Sequence, residues 1–220
     1  MKYKAIIFDM DGTIINTSPI WSQVNKDLIE SKGIVFSQEL ESELKKRIHG
    51  LALDRACHVI KELCGLPDSL EDLIKEKVVM ASMLYKEGIE FIEGFETFHS
   101  HVKKHNLKTG VATNADDYTF AIARESLPLE FFFGEHIYNI AHVGYVPKPD
   151  PAIYLYTAQK LELKPSECIV IEDSAHGIEA AKNAGMYCIG INTSKSYEQV
   201  KHSDHVVEGY AEINLLKLLR

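Results

Sequence analysis

No apolar run in the sequence approaches the roughly 18 residues of a membrane-crossing helix. The first apolar stretch, residues 5–8, stops at Asp9, well short of the roughly 7–15 residues in the core of a secretory signal. No signal peptide is expected, and the expectation is a soluble cytoplasmic protein with no membrane partner. Cysteine is sparse. Cys57, Cys64, Cys168 and Cys188 form no CxxC pair and no Cys/His group at zinc spacing, and none of the ten histidines builds an HExxH pair. A disulfide-stapled miniprotein and a zinc site are therefore excluded, and four reduced thiols are expected. Positive charge is outnumbered: 24 Lys and Arg face 32 Asp and Glu, a net charge of −8. Nucleic-acid binders usually carry a basic stripe that neutralises phosphates, so a nucleic-acid partner is not expected. Internal repeats and low-complexity linkers are also missing.

What is present is ordinary globular composition, 45% apolar and 25% charged over 220 residues. That length fits one large domain or one domain carrying an insert. Residues 5–8 (AIIF) read as a strand buried on both faces. From residue 17 to residue 88 the pattern is helical. Trp21, Val24, Leu28 and Ile29 share one face, and further helices are expected over 37–48, 53–63 and 69–86. Strand and helix patterns then alternate. Strands are expected at 107–113, 136–141, 168–171, 187–191 and 205–207. Helices are expected at 117–125, 151–161, 177–184 and 211–219. Such alternation implies right-handed crossovers and a parallel sheet. The fold expected is α/β: a Rossmann-like parallel core of residues 1–16 and 89–220, with an all-helical insert at 17–88.

Ligands of open α/β sheets bind beyond the carboxyl ends of the strands. Asp9 and Asp11 follow the first strand, Thr113 and Asn114 end another, and Glu172 and Asp173 end a third. Four carboxylates at one sheet edge repel one another and call for a cation. Oxygen ligands without His or Cys favour Mg²⁺, which keeps room for substrate phosphate. Phosphoryl chemistry is the reading.

These residues also carry a resemblance. Asp9-Met10-Asp11-Gly12-Thr13 resembles the DxDGT motif of the haloacid dehalogenase-like (HAD) superfamily. Val111-Ala112-Thr113-Asn114 is similar to its second motif, Lys148-Pro149-Asp150-Pro151 to its third, and Glu172-Asp173-Ser174 to its fourth. The motifs stand in family order along nearly the whole chain. The helical insert resembles the C1-type cap of the β-phosphoglucomutase and phosphoglycolate phosphatase branch.

The resemblance implies a Mg²⁺-dependent phosphatase of small phosphorylated metabolites. Asp9 would be the nucleophile that becomes an aspartyl-phosphate. Asp11 would be the general acid and then base. Thr113 and Lys148 would hold the phosphoryl oxygens. Mg²⁺ would take Asp9, the Asp11 backbone carbonyl and Asp173, with Glu172 acting through water. Gly12 would allow close backbone approach. Asn114 would bind substrate phosphate or make an Asx-turn. His49 and Gly50 would belong to the loop that reaches the leaving group. Asp11, Glu172 and Asp173 argue against a haloacid dehalogenase. A β-phosphoglucomutase is the alternative, although its linker His and cap Arg match Trp21 and Leu53 here, with His49 and Arg55 near the latter. A non-catalytic binding protein of the same fold is the remaining alternative.

Overall fold

In the computed structural model, which describes residues 2–219, the first apolar run is strand β1, Ala5–Phe8. All four residues are buried. Ile6 and Phe8 join the core on one face of the sheet, Ala5 and Ile7 the core on the other. A strand covered on both faces has no solvent side, which is why its sequence is a continuous apolar run. Five further strands follow: β2 Lys108–Thr113, β3 Ile137–Asn139, β4 Cys168–Glu172, β5 Tyr187–Ile191 and β6 His205–Val207. All pair in parallel, in the order β3-β2-β1-β4-β5-β6. This is the Rossmann order, in which the order of the strands reverses between β1 and β4. Phe8 lies opposite Val111 on one side and Ile171 on the other, so the residues after all three strands emerge together.

Four helices follow β1: α1 Ser18–Ser31, α2 Gln38–Ile48, α3 Leu53–Cys64 and α4 Leu70–Glu87. Ser37 and Ser69 accept hydrogen bonds from Leu40 N and Asp72 N and so cap α2 and α4. Leu28, Ile29, Leu44, Cys57, Ile60, Leu66 and Leu73 form a core internal to this segment. Each such buried aliphatic side chain contributes about 1.5–3 kcal/mol. The remaining helices are α5 Phe95–Lys104, α6 Asp117–Ser126, α7 Leu129–Phe133, α8 Ala152–Lys160, α9 Ala175–Asn183, α10 Tyr197–Val200 and α11 Leu215–Leu218. No helix of the described residues is long and apolar enough to cross a membrane.

Several local expectations are corrected. Helix α5 was not anticipated, although Phe95, Phe98 and Val102 keep helical spacing and are buried. Its polar residues, two of them histidines, mask the pattern. The strand expected at 136–141 stops at Asn139, where the side chain of His142 bonds back and opens a 3₁₀ turn over Ile140–Val143. The helix expected at 211–219 shrinks to α11, because Asn214 caps Lys217 N and starts a new turn. Of the three consecutive phenylalanines, Phe131, Phe132 and Phe133, the first is 83% exposed.

His99 of α5 is buried against Phe8, Phe95, Phe132 and Phe133, with Nε2 3.2 Å from Thr109 Oγ1. Burial drives its pKa down to about 4 from an ordinary 6.5. The unfolded chain therefore takes up the proton first as pH falls, and the folded form loses stability between those two values. In thermal melts, the wild type should lose stability across this window more steeply than His99→Phe. Parallel pH profiles of the two proteins would contradict it.

Candidate active site

Beyond the carboxyl ends of β1, β2 and β4, the sheet opens into a cavity of about 740 Å³, within the range of small-molecule sites. Asp9, the residue after β1, is held by its own amide on Ile171 O at 3.0 Å. Lys148, before α8, points inward and is only 2% exposed. Its Nζ donates to Asp9 Oδ1 at 2.6 Å and to Glu172 Oε1 at 2.7 Å. An ammonium has three donors, so one remains for a ligand. Glu172 is densely hydrogen-bonded. Its Oε1 also accepts from Tyr154 OH at 3.0 Å, and its Oε2 accepts from Ser174 N and Ser174 Oγ, both at 2.9 Å.

Charge in this cluster is unbalanced. Burial first, then the Glu172 charge, push the Asp9 carboxyl well above its ordinary value, with Lys148 pulling the other way. Burial alone would raise Glu172, but Lys148 and the Ser174 donors hold it low and ionised. Burial works against the Lys148 charge too, yet Asp9 and Glu172 hold it above the usual lysine range. Asp173 is raised by burial, opposed by His49. Fully ionised, Asp9, Asp11, Glu172 and Asp173 face only Lys148 and His49, leaving the negative charge that one divalent cation would neutralise.

The donor set fits such a cation. Ligand oxygens of Asp9, Glu172 and Asp173 all lie within 4.8 Å of one another. Asp173 Oδ2 is buried and accepts no hydrogen bond, although His49 Nε2 passes at 3.2 Å. Gly12, at φ +80°, leaves that oxygen clear: a Cβ there would lie 2.1 Å from Asp173 Oδ2. Its positive φ disfavours other residues as well. Oxygen ligands of this kind suit Mg²⁺.

Asp11 stands slightly apart. Thr113 Oγ1 donates to its Oδ2 at 3.5 Å and Tyr85 OH to its Oδ1 at 3.4 Å. Burial raises its pKa, partly offset by a hydrogen bond from Thr17. A carboxyl raised in this way can carry a proton to give.

The helical segment supplies the opposite wall. The α2–α3 loop brings His49 Nε2 to 3.3 Å from Asp173 O, and Asp173 holds the imidazole pKa at about 9 against the pull of burial. Gly50, at φ +73°, packs so closely that a Cβ would sit 2.5 Å from Ser174 Cβ. Asn114 forms no Asx-turn. Its Nδ2 donates to Gly50 O at 3.1 Å, and its Oδ1 accepts from Lys148 N at 2.9 Å. Trp21 is half-buried and lines the cavity. Arg55 is exposed and does not line the cavity.

All the residues expected at the site thus converge. Three that matter were not singled out: Tyr85, Tyr154 and Ser174. Ser174 followed the acidic pair and was visible as a cap before α9, where its Oγ accepts from Gly177 N. Tyr85 and Tyr154 sit inside helices, where nothing local distinguishes them.

The chain is 32% identical over 192 residues to a phosphorylated carbohydrates phosphatase of Thermotoga maritima, covering 83% of this chain and 82% of that one. It is 26% identical to a β-phosphoglucomutase of Bacillus subtilis, over 86% of this chain and 83% of that one. The crystal structure of a HAD hydrolase, family IA, variant 3, from Entamoeba histolytica superposes with a TM-score of 0.83 at 27% identity, covering 98% of this chain and 97% of that one. The family model for haloacid dehalogenase-like hydrolases matches residues 3–185, and the chain belongs to that family.

Proposed function

We propose that the protein is a Mg²⁺-dependent phosphatase that hydrolyses phosphomonoesters of small metabolites through an aspartyl-phosphate on Asp9. The single observation that carries this reading is the buried Asp9–Lys148–Glu172 cluster with Asp173 beside it, at the end of the central strands. The relative named phosphorylated carbohydrates phosphatase supports the substrate class.

In this reading an Asp9 oxygen attacks phosphorus, and the ester P–O bond breaks. Asp11 gives its proton to the departing alkoxide. Water then attacks the phosphorus of the acyl phosphate, Asp11 takes the proton, and Asp9 and inorganic phosphate are released. Thr113 and the third proton of Lys148 hold the phosphoryl oxygens. Asp9, Asp173 and the Asp11 carbonyl would hold Mg²⁺, with Glu172 acting through water; when bound, the ion offsets the repulsion between phosphate and carboxylates. Asn114 keeps Lys148 and the Gly50 loop in place. Residues 17–88 act as a cap domain over a core of residues 1–16 and 89–220, so that His49 and Gly50 close on the leaving group and keep water out. We assign the enzyme to the cytoplasm, supported by its free cysteines.

Hydrolysis is preferred to mutase chemistry because Trp21 and Leu53 stand where a His and an Arg are expected. Turnover of p-nitrophenyl phosphate should require Mg²⁺, stop with EDTA and return on adding Mg²⁺. Metal-independent turnover, or none at all, would sink this reading. Conversion of β-glucose 1-phosphate to glucose 6-phosphate, without free phosphate, would replace it with the mutase.

A further inference from the structure

Asp11 is held from a side that substrate does not reach. Tyr85, in the last turns of α4, is 2% exposed and does not line the cavity, whereas Asp11 does. The Tyr85 hydroxyl donates to Asp11 Oδ1 at 3.4 Å. Hydrogen bonds around catalytic groups are often this long before substrate binds. A third residue fixes the donor direction. Trp21 of α1 packs edge-on against the Tyr85 ring, with centroids 6.3 Å apart. Its indole, a donor only, hydrogen-bonds the phenol oxygen. The phenol hydrogen is then left for Asp11.

The hold belongs to the core of the sheet. Tyr85 and Ala81 of α4 share a core with Met10, Ile14 and Ile15, near Asp11 in the chain, and stand outside the core internal to the helical segment. The two connections between that segment and the sheet also run side by side. Asn16 N donates to Glu90 O at 2.9 Å, and Ile92 N donates to Ile14 O at 2.8 Å. Tyr85 is thus tied to Asp11 through both connections.

The two oxygens of Asp11 become unequal in consequence. Oδ1 already accepts from the phenol, so the proton of a neutral carboxyl belongs on the other oxygen. That oxygen, Oδ2, lies 3.5 Å from Thr113 Oγ1, the hydroxyl assigned above to the phosphoryl group. Threonine hydroxyls accept as well as donate. Thr113, like Thr17, which also bonds this carboxyl, therefore tolerates a proton on the oxygen it faces.

We propose that Tyr85 is a positioning residue that keeps the Asp11 proton on Oδ2, aimed at the leaving oxygen. The proton passes from Oδ2 to the ester oxygen as the P–O bond breaks, and the attacking water returns a proton to Oδ2 in the second step. Tyr85 itself touches no substrate atom. This rests on the phosphatase reading, with Asp11 as the acid.

The test uses three esters of similar size whose leaving groups need a proton to different degrees: p-nitrophenyl, phenyl and benzyl phosphate. Nitrophenolate departs readily as an anion, phenolate less so, and an alkoxide hardly at all without a proton. The readout is kcat/KM, which covers ester cleavage and leaves out the later hydrolysis of the acyl phosphate. Tyr85→Phe keeps the ring and removes the hydroxyl. It should cost about threefold on p-nitrophenyl phosphate, about 30-fold or more on benzyl phosphate, and an intermediate factor on phenyl phosphate. In an Asp11→Asn background, with no proton to aim, the same substitution should cost less than about twofold on phenyl phosphate. A merely structural role would lower all three esters by one factor in both backgrounds. A uniform loss, no loss on benzyl phosphate, or a full loss that persists in the Asp11→Asn background would overturn the assignment. A wild type that cleaves only p-nitrophenyl phosphate has no working acid to position, and would overturn it too. A wild type that cleaves none of the three would overturn the phosphatase reading itself, and the role of Tyr85 with it.

Discussion

Asp9→Asn should abolish phosphate release, by about 10⁴-fold or more, while leaving the fold intact. The activity loss follows from removing the attacking oxygen. The intact fold follows from electrostatics. Burial and the Glu172 charge already disfavour an ionised Asp9, more than Lys148 favours it. At neutral pH, an asparagine there removes a strained charge and still offers Lys148 an acceptor oxygen. Without added metal, the melting temperature of the variant should be no lower than that of wild type. Residual turnover above about one-hundredth of wild type would remove Asp9 from the role of nucleophile. A large fall in melting temperature would instead show that Lys148 needs the carboxylate more than the carboxylate is strained.

Lys148→Met should damage both function and fold. Its ammonium is the only cation in contact with Glu172 among the described residues, and both groups are at most 2% exposed. Breaking a buried pair by removing one partner costs roughly 3–5 kcal/mol, because the other charge is left uncompensated. The lost grip on the phosphoryl group should lower kcat by about 10²–10³-fold. The sign of the pH dependence is set by Glu172. In wild type its pKa is held low by Lys148, so the pair stabilises the fold above the ordinary glutamate range, and this stabilisation fades on acidification. In the variant, an uncompensated Glu172 is pushed up and takes a proton more readily. The destabilisation should therefore be larger near about pH 8 than near about pH 5. Thermal melts of both proteins at the two pH values check it. A variant as stable as wild type near pH 8 would show that the tyrosine and serine donors suffice for Glu172.

The central sheet was legible because its physics is local. Ala5 to Phe8 had to be apolar throughout to lie between two layers, and the carboxylates had to follow the strands that place them. The motifs held Asp9, Asp11, Thr113, Glu172 and Asp173 at strand ends, where the chain leaves the sheet, and Lys148 just before α8. The rest depended on neighbours distant in sequence. Tyr85 matters because α4 runs back towards Asp11, and Tyr154 because α8 passes below Glu172. Neither condition appears in the residues around them. Asn114 shows the same limit. Its two partners, Gly50 and Lys148, are 64 and 34 residues away, and no local pattern announces a side chain that bridges them.

The site is also stitched from remote parts of the chain. Lys148 and Asp9 are 139 residues apart, His49 and Asp173 are 124, and Thr113 and Asp11 are 102. Closing loops of that length is entropically unfavourable until the sheet forms around them, so these contacts appear late in folding. During synthesis, Asp9 is made long before Lys148 and Glu172 and has neither beside it until β4 joins β1. In the proposed reading the nascent chain thus carries a nucleophile with nothing to activate it, and reactivity comes only with the finished sheet.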